Sequence, residues 1–264
     1  MTDHFKMLVH PMQNEKINPV NAVPDDTLTE QYQLFINIAA HNLQAPLRKL
    51  GVLTDRLTGK YRSEEEEVQQ YITRIHACID EMRSLIDGFA ELGAAIPETM
   101  VYVKSNIREL IEKILEDSAS LIKEKQAEIS IGEMPVIEAD KAQLRLLFKK
   151  LIDNSFKYSQ PGVPLTIQFT AGILPGEELE YFNLPERSSW YKITITDNGI
   201  GFDAGDRTRI FEPLIRLHGK SEFQGNGLGL ALVKRVAENH GGLVYAEDTG
   251  GQGARIVVIL PEKP

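Results

Sequence analysis

The hydrophobic pattern opens on two heptad seams. From Thr27 to Gly59, the positions Ile36, Ala40, Leu43, Leu47, Leu50, Thr54 and Leu57 are spaced 4-3-4-3-4-3. That is the seam of a helix packed on another helix. Thr27 with Glu30 forms a capping box at its start, and Gly59 marks its end. Ser63 with Glu66 opens a second helix through the run Glu64–Glu67, whose acids favour the positive end of the helix dipole. Its seam is Val68, Ile72, Ile75, Ile79, Met82, Ile86 and Phe89, with the same spacing. Two antiparallel helices of this kind bury only part of their apolar surface. Pairing two hairpins into a four-helix bundle buries the rest, so the pattern predicts a homodimer through residues 28–93.

After a linker over 94–100 the pattern becomes mixed. Alternating or short apolar runs predict strands at 101–104, 128–131, 136–138, 165–170, 192–196, 243–247 and 255–260. Helices are predicted over 106–125, 140–158 and 229–240, the first capped by Asn106 with Glu109 and the second by Asp140 with Gln143. A loop runs from Pro175 to Pro185. The fold class is therefore α+β: a helical hairpin over 28–93, then one domain over 101–262 with helices on one face of a sheet. Residues 1–27 are polar and irregular, with Pro11, Pro19 and Pro24, and read as an arm.

Composition narrows the class. The 264 residues suit two ordinary domains, and 42% apolar with 25% charged residues is normal for a globular chain. The net charge of -9, with no dense basic run, disfavours nucleic acid as a partner. A single cysteine, Cys78, excludes an internal disulfide and a multi-cysteine metal site. No apolar run approaches the ~18–20 residues that cross a bilayer, and Met1–Glu30 lacks the pattern of a signal peptide. A cytoplasmic location without membrane insertion is expected. The input would then come through residues 1–27 or from a separate sensor protein.

Three elements in the second domain carry chemistry. Asp153-Asn154-Ser155-Phe156-Lys157-Tyr158 ends a helix, Asp197-Asn198-Gly199-Ile200-Gly201 follows a strand, and Gly225-Asn226-Gly227-Leu228-Gly229 enters a helix. A carboxylate at a strand end, Asp197, can accept a hydrogen bond from the exocyclic amine of adenine. Gly199 and Gly201 allow the backbone to turn close to a base. The loop Gly225–Gly229 can bend over phosphates, and the helix behind it offers free N–H groups to anions. Asn154 supplies an amide oxygen suited to Mg²⁺, and Lys157 can reach a phosphate as a point charge. Each is common turn or surface chemistry alone. In this order within one domain they point to ATP.

The set resembles the ATP-binding domain of sensor histidine kinases, within the superfamily of gyrase, heat-shock chaperone and mismatch-repair ATPases. Asp153–Ser159 is similar to the N box, Asp197–Gly201 to the first glycine box, Ile210-Phe211-Glu212-Pro213 to the F box and Gly225–Leu230 to the second glycine box. The resemblance covers roughly residues 100–262. It implies a Bergerat-type α/β sandwich with a mixed sheet and a mobile lid over 211–228. It also implies Mg²⁺ on Asn154, adenine on Asp197, and nucleotide contacts from Lys157, Tyr158, Gly199, Gly201, Gly225, Gly227 and Gly229.

The hairpin supplies an acceptor. His41 lies in Phe35-Ile-Asn-Ile-Ala-Ala-His41-Asn-Leu-Gln-Ala-Pro46-Leu, which resembles the H box of the phytochrome-like branch of these kinases. With Ile36 at d, His41 falls at b, outside the seam. Pro46 removes one helix N–H and bends the helix beside it. By resemblance, His41 is phosphorylated from ATP and passes the group to an aspartate on a response-regulator receiver domain. Three positions depart from the family. Asn42 replaces the usual acid and cannot act as a general base. Ala45 stands where a regulator-dephosphorylating member has a polar residue. Lys150 stands where Asn or Glu is common, and a cation there binds phosphate or displaces the metal's helper. These favour an alternative, a degenerate kinase that serves as a nucleotide-binding regulatory scaffold.

Overall fold

The computed structural model describes residues 66–95, 99–186, 189–217, 226–247, 249–250 and 252–264, with 44, 47, 48, 50–52, 54 and 55 of the first helix. Helix α1, Glu66–Ala94, covers the span expected of the second seam helix. Its buried Ile79 and Ile86 pack on Leu47 of the first arm, with Ala90 beside them. Leu47, Ile79 and Ile86 are all seam positions of the expected pattern. On the same helices Leu50, Ile75 and Met82, also seam positions, are 45%, 44% and 40% exposed in the single chain.

The second domain runs β1 (Tyr102–Asn106), α2 (Ile107–Asp117), α3 (Ala119–Glu124), β2 (Glu128–Ile131), β3 (Val136–Asp140) and α4 (Lys141–Lys157). It continues with β4 (Thr166–Ile173), α5 (Gly176–Tyr181), β5 (Trp190–Asp197), α6 (Gly229–Asn239), β6 (Leu243–Glu247) and β7 (Ala254–Pro261). Five strands form one sheet in the order β2-β4-β5-β7-β6. Its β2–β4 pair is parallel and the other pairs antiparallel, so the sheet is mixed. β1 and β3 make a separate antiparallel pair.

Helices α2, α4 and α6 cover one face. Ile107, Ile111 and Ile114 of α2, Leu144, Leu147 and Phe148 of α4, and Leu232, Val233 and Val236 of α6 meet Phe169, Ile193, Ile195 and Val258 of the sheet. Most are wholly buried, and at about 1.5–3 kcal/mol for a fully buried large apolar side chain they supply most of the driving force.

Three sequence expectations are corrected. The helix expected over 106–125 is two, because Ser118 turns its hydroxyl back onto the Ile114 carbonyl at 2.9 Å and the chain bends there. The strands 101–104 and 136–138 leave the main sheet to form their own pair. Helices do not occupy one face alone: α5, inside the expected loop 175–185, helps cover the other face. There Leu174, Trp190, Val257 and Ile259 form a second core against Phe182 and Leu184. Among the described residues no helix is long and apolar enough to cross a membrane.

Candidate functional site

The site lies where the end of α4 meets the end of β5. Asp140 caps α4 by accepting from the Ala142 and Gln143 N–H groups at 3.0 and 3.1 Å. The apolar stripe of α4 goes to the sheet, which brings Leu151, Asn154, Ser155 and, at the cap, Tyr158 to the wall of a cleft. Ile195 and Asp197 of β5 form its floor with Gly201 and Phe202, and Ile210, Ile215, Arg216, Leu217, Leu230, Ala254 and Ile256 close it. The walls are mainly apolar with few polar groups, which is the character of a small-molecule or cofactor site.

Asp197 is held by three donors. Its Oδ1 accepts from the Gly199 N–H at 2.9 Å and the Ala254 N–H at 3.1 Å, and its Oδ2 accepts from the Ser155 hydroxyl at 2.8 Å. A carboxylate has room for about four such bonds, so Oδ2 keeps capacity for a ligand amine. The loop after it is tied at both ends. The Asn198 side chain accepts from the Thr166 N–H and donates to the Pro164 carbonyl, while the Ile200 N–H donates to the Tyr158 carbonyl at 2.9 Å. Gln160 adds donors to the Asn198 and Gly199 carbonyls. Gly201 has φ +71, and a Cβ there would stand 2.7 Å from the Gly253 carbonyl oxygen, so no other residue fits without a shift.

Across the cleft, α6 begins at Gly229, and a Cβ on it would lie 3.7 Å from Asn154 Oδ1. The first N–H groups of α6 carry no side-chain cap. They and the Asn154 amide oxygen thus share one corner. The donor set fits phosphate and a hard cation together. The Gly227 carbonyl accepts from the Leu214 N–H at 3.0 Å, joining the two described ends of the segment 211–228.

Of the expected site residues, Asn154, Tyr158, Asp197 and Gly201 line the cleft. Gly199 anchors Asp197, Gly229 lies beside Asn154, and Gly227 packs against the backbone of Leu214 and Ile215. Lys157 is not among the lining residues, but its Nζ lies 4.6 Å from the centre of the ring of Tyr158, which is. Lys150 pairs with Glu91 of α1 at 2.6 Å, neither of the outcomes weighed from the sequence. His41, Asn42, Ala45 and Gly225 lie outside the described residues. Ser155, Ala254 and Arg216 were missed. Ser155 sat inside a recognised motif, but its partner is 42 residues away. Nothing local marks such a contact.

Comparison with known proteins follows this geometry. Residues 139–264 match the family described as histidine kinase-, DNA gyrase B-, and HSP90-like ATPase. The phytochrome-like protein Cph1 of Synechocystis sp. is 28% identical over 228 residues, which are 86% of this chain and 29% of that protein. The adaptive-response sensory kinase SasA of Synechococcus elongatus is 25% identical over 245 residues, 88% of this chain and 60% of SasA. Full-length ShkA in complex with AMPPNP shares the fold, with a TM-score of 0.60 at 23% identity over 86% of this chain and 45% of that one. This chain thus spans less than two thirds of the length of each of these relatives.

Proposed function

We propose that this chain, a relative of the sensor histidine kinases whose residues 139–264 form an ATP-binding domain of the histidine kinase-, DNA gyrase B-, and HSP90-like family, is an ATP-dependent protein-histidine autokinase. Its acceptor is His41, and its product passes the phosphoryl group to an aspartate of a response-regulator receiver domain. The observation that carries the reading is Asp197. Three donors hold its carboxylate against an apolar cleft, with Asn154 and the open end of α6 at the far corner.

Asp197 reads the exocyclic amine of adenine. Leu151, Ile195, Phe202 and Ile256 exclude water from the ring. The N–H groups at the start of α6 and the segment around Gly227 hold the phosphates. Asn154 holds Mg²⁺, which neutralises phosphate charge. In the reaction a ring nitrogen of His41 forms a bond to the γ-phosphorus as the bond to the β-phosphate bridging oxygen breaks. ADP leaves, and the imidazole proton goes to solvent. Positioning and charge neutralisation supply most of the acceleration in such transfers. Dimerisation runs through residues 28–93, supported by the exposed seam residues Leu50, Ile75 and Met82.

A second reading has its own observation. The Glu91 partner of Lys150 ties up a cation one turn from Asn154, which with Asn42 and Ala45 suits a scaffold that binds nucleotide and transfers phosphate poorly. One assay separates the two. The chain is incubated with γ-labelled ATP and Mg²⁺, and protein phosphate is tested for acid lability and base stability. An autokinase gives label that His41→Gln abolishes while nucleotide affinity stays within about twofold. Label that survives His41→Gln removes His41 as acceptor, and no label despite measurable binding selects the scaffold.

A further inference from the structure

We propose that the nucleotide-binding unit docks on one face of α1 through Gly88, and that nucleotide phosphates compete with this dock for Lys150. The inference rests on the nucleotide reading above.

Gly88 sits inside a 29-residue helix, where glycine costs about 1 kcal/mol against alanine. A Cβ at 88 would overlap the Asn226 amide nitrogen and lie 2.7 Å from Leu228 Cδ1. One turn earlier, the Ser84 carbonyl accepts from Asn226 Nδ2 at 2.7 Å. Asn226 Oδ1 in turn accepts from the Leu228 N–H at 3.1 Å. Its side chain therefore joins α1 to the segment that enters α6. On the same side of α1, Glu91 Oε2 meets Lys150 Nζ at 2.6 Å, with the lysine side chain only 21% exposed. Ser84, Gly88 and Glu91 are spaced i, i+4 and i+7, one stripe of the helix. The absent side chain at 88 makes the socket, and a hydrogen bond and an ion pair close it on either side.

Both clasping residues are near neighbours in the chain of the residues to which the proposed function assigns the phosphates and the cation. Asn226 precedes Gly227, and Lys150 is one turn before Asn154 on α4. A nucleoside triphosphate beside Asn154 brings several negative charges within reach of Lys150, where Glu91 offers one. Attraction at such short range in a partly desolvated site is strong enough for the two to compete. Binding of the triphosphate then loosens the dock, which frees the domain to approach its acceptor. Coupling is reciprocal: the dock weakens triphosphate binding by the same factor by which the triphosphate weakens the dock, so loosening the dock raises triphosphate affinity.

The test uses the intact chain with Gly88→Ala and Glu91→Gln. Alanine is the better helix former, so Gly88→Ala fills the socket without weakening α1. Glu91→Gln removes the competing charge at constant size. Affinity is measured for a non-hydrolysable ATP analogue and for AMP, together with hydrogen exchange over residues 226–228. The expected result is faster exchange in Gly88→Ala and a gain of about fivefold or more in triphosphate affinity for both variants, with AMP affinity unchanged in Glu91→Gln. Unchanged or weaker triphosphate binding in either variant overturns the competition, and unchanged exchange in Gly88→Ala overturns the dock. A wild-type chain that binds neither nucleotide refutes the kinase reading and the competition together, whereas the exchange result still decides the dock.

Discussion

His240 lies buried at the end of α6, where its Nε2 accepts the Asp140 N–H at 3.0 Å and its Nδ1 faces the Val236 carbonyl at 2.8 Å. An acceptor at Nε2 requires the neutral ring with its proton on Nδ1. Burial pushes its pKa below the usual 6.5, and the Val236 carbonyl and the Asp140 carboxylate only partly offset that. A lowered pKa means that the unfolded chain binds the proton first. Stability is therefore complete above pH 6.5, falls as the pH drops below it, and levels off below the folded-state value. The slope is at most about 1.4 kcal/mol per pH unit for one such group. Thermal melts from pH 8 to 5 should show this decline, and His240→Gln, which keeps a donor and an acceptor, should flatten it. An equal slope in both proteins assigns the effect elsewhere. His240 is the kind of residue that sequence spacing misses, because its Asp140 partner is 100 residues away. Asp197 was legible by contrast, since its glycines stand beside it in the chain and declare the turn.

At the scale of elements, periodicity located nearly every helix and strand, because one-sided burial leaves a period of 3.6 or 2 in the sequence. It fails where burial is two-sided. In β7 the residues Ile256, Val258 and Leu260 enter the helix-covered core, whereas Val257 and Ile259 enter the second core on the opposite face. Five consecutive apolar residues are the signature of a strand covered on both sides, and that run already contradicted a sheet with one bare face. The connection into β7 also fixes the cleft. Gly253 has φ +74, and a Cβ there would overlap the Asp197 carbonyl oxygen and stand 2.9 Å from Asn198 Cα. Gly253→Ala must push β7 away from the end of β5, and with it the Ala254 N–H that holds Asp197. Strain of this kind costs of order 1–3 kcal/mol before any clash. The variant should melt several degrees lower and lose at least about tenfold in nucleotide affinity, one hydrogen-bonded anchor being worth roughly 1.4 kcal/mol. Wild-type affinity in a destabilised variant would uncouple the turn from the site.

The whole molecule is left unbalanced by its own burial. Within one chain Leu47, Ile79 and Ile86 are covered, while their seam neighbours Leu50, Ile75 and Met82 stay open to solvent. Single exposed apolar residues need no explanation. Three at seam positions of two packed helices do, since a two-helix pair can cover only one side of each. A second hairpin would cover them and close a four-helix bundle. Neither Ile75 nor Met82 lines the cleft, so assembly and nucleotide binding can be separated. Sedimentation should show a dimer for the intact chain at micromolar concentration and a monomer for Ile75→Glu with Met82→Glu, because two charges per protomer would have to be buried without partners, at several kcal/mol per ion. The monomer should keep its nucleotide affinity. A monomeric wild type, or a dimeric double variant, would move the assembly surface off this seam. The open positions would then need an intramolecular cover, and the face of α1 carrying Ser84, Gly88 and Glu91 is already occupied by the nucleotide-binding unit. The helix therefore divides its circumference: one stripe packs on Leu47, a second meets the nucleotide-binding unit, and Ile75 and Met82 stay open in the single chain.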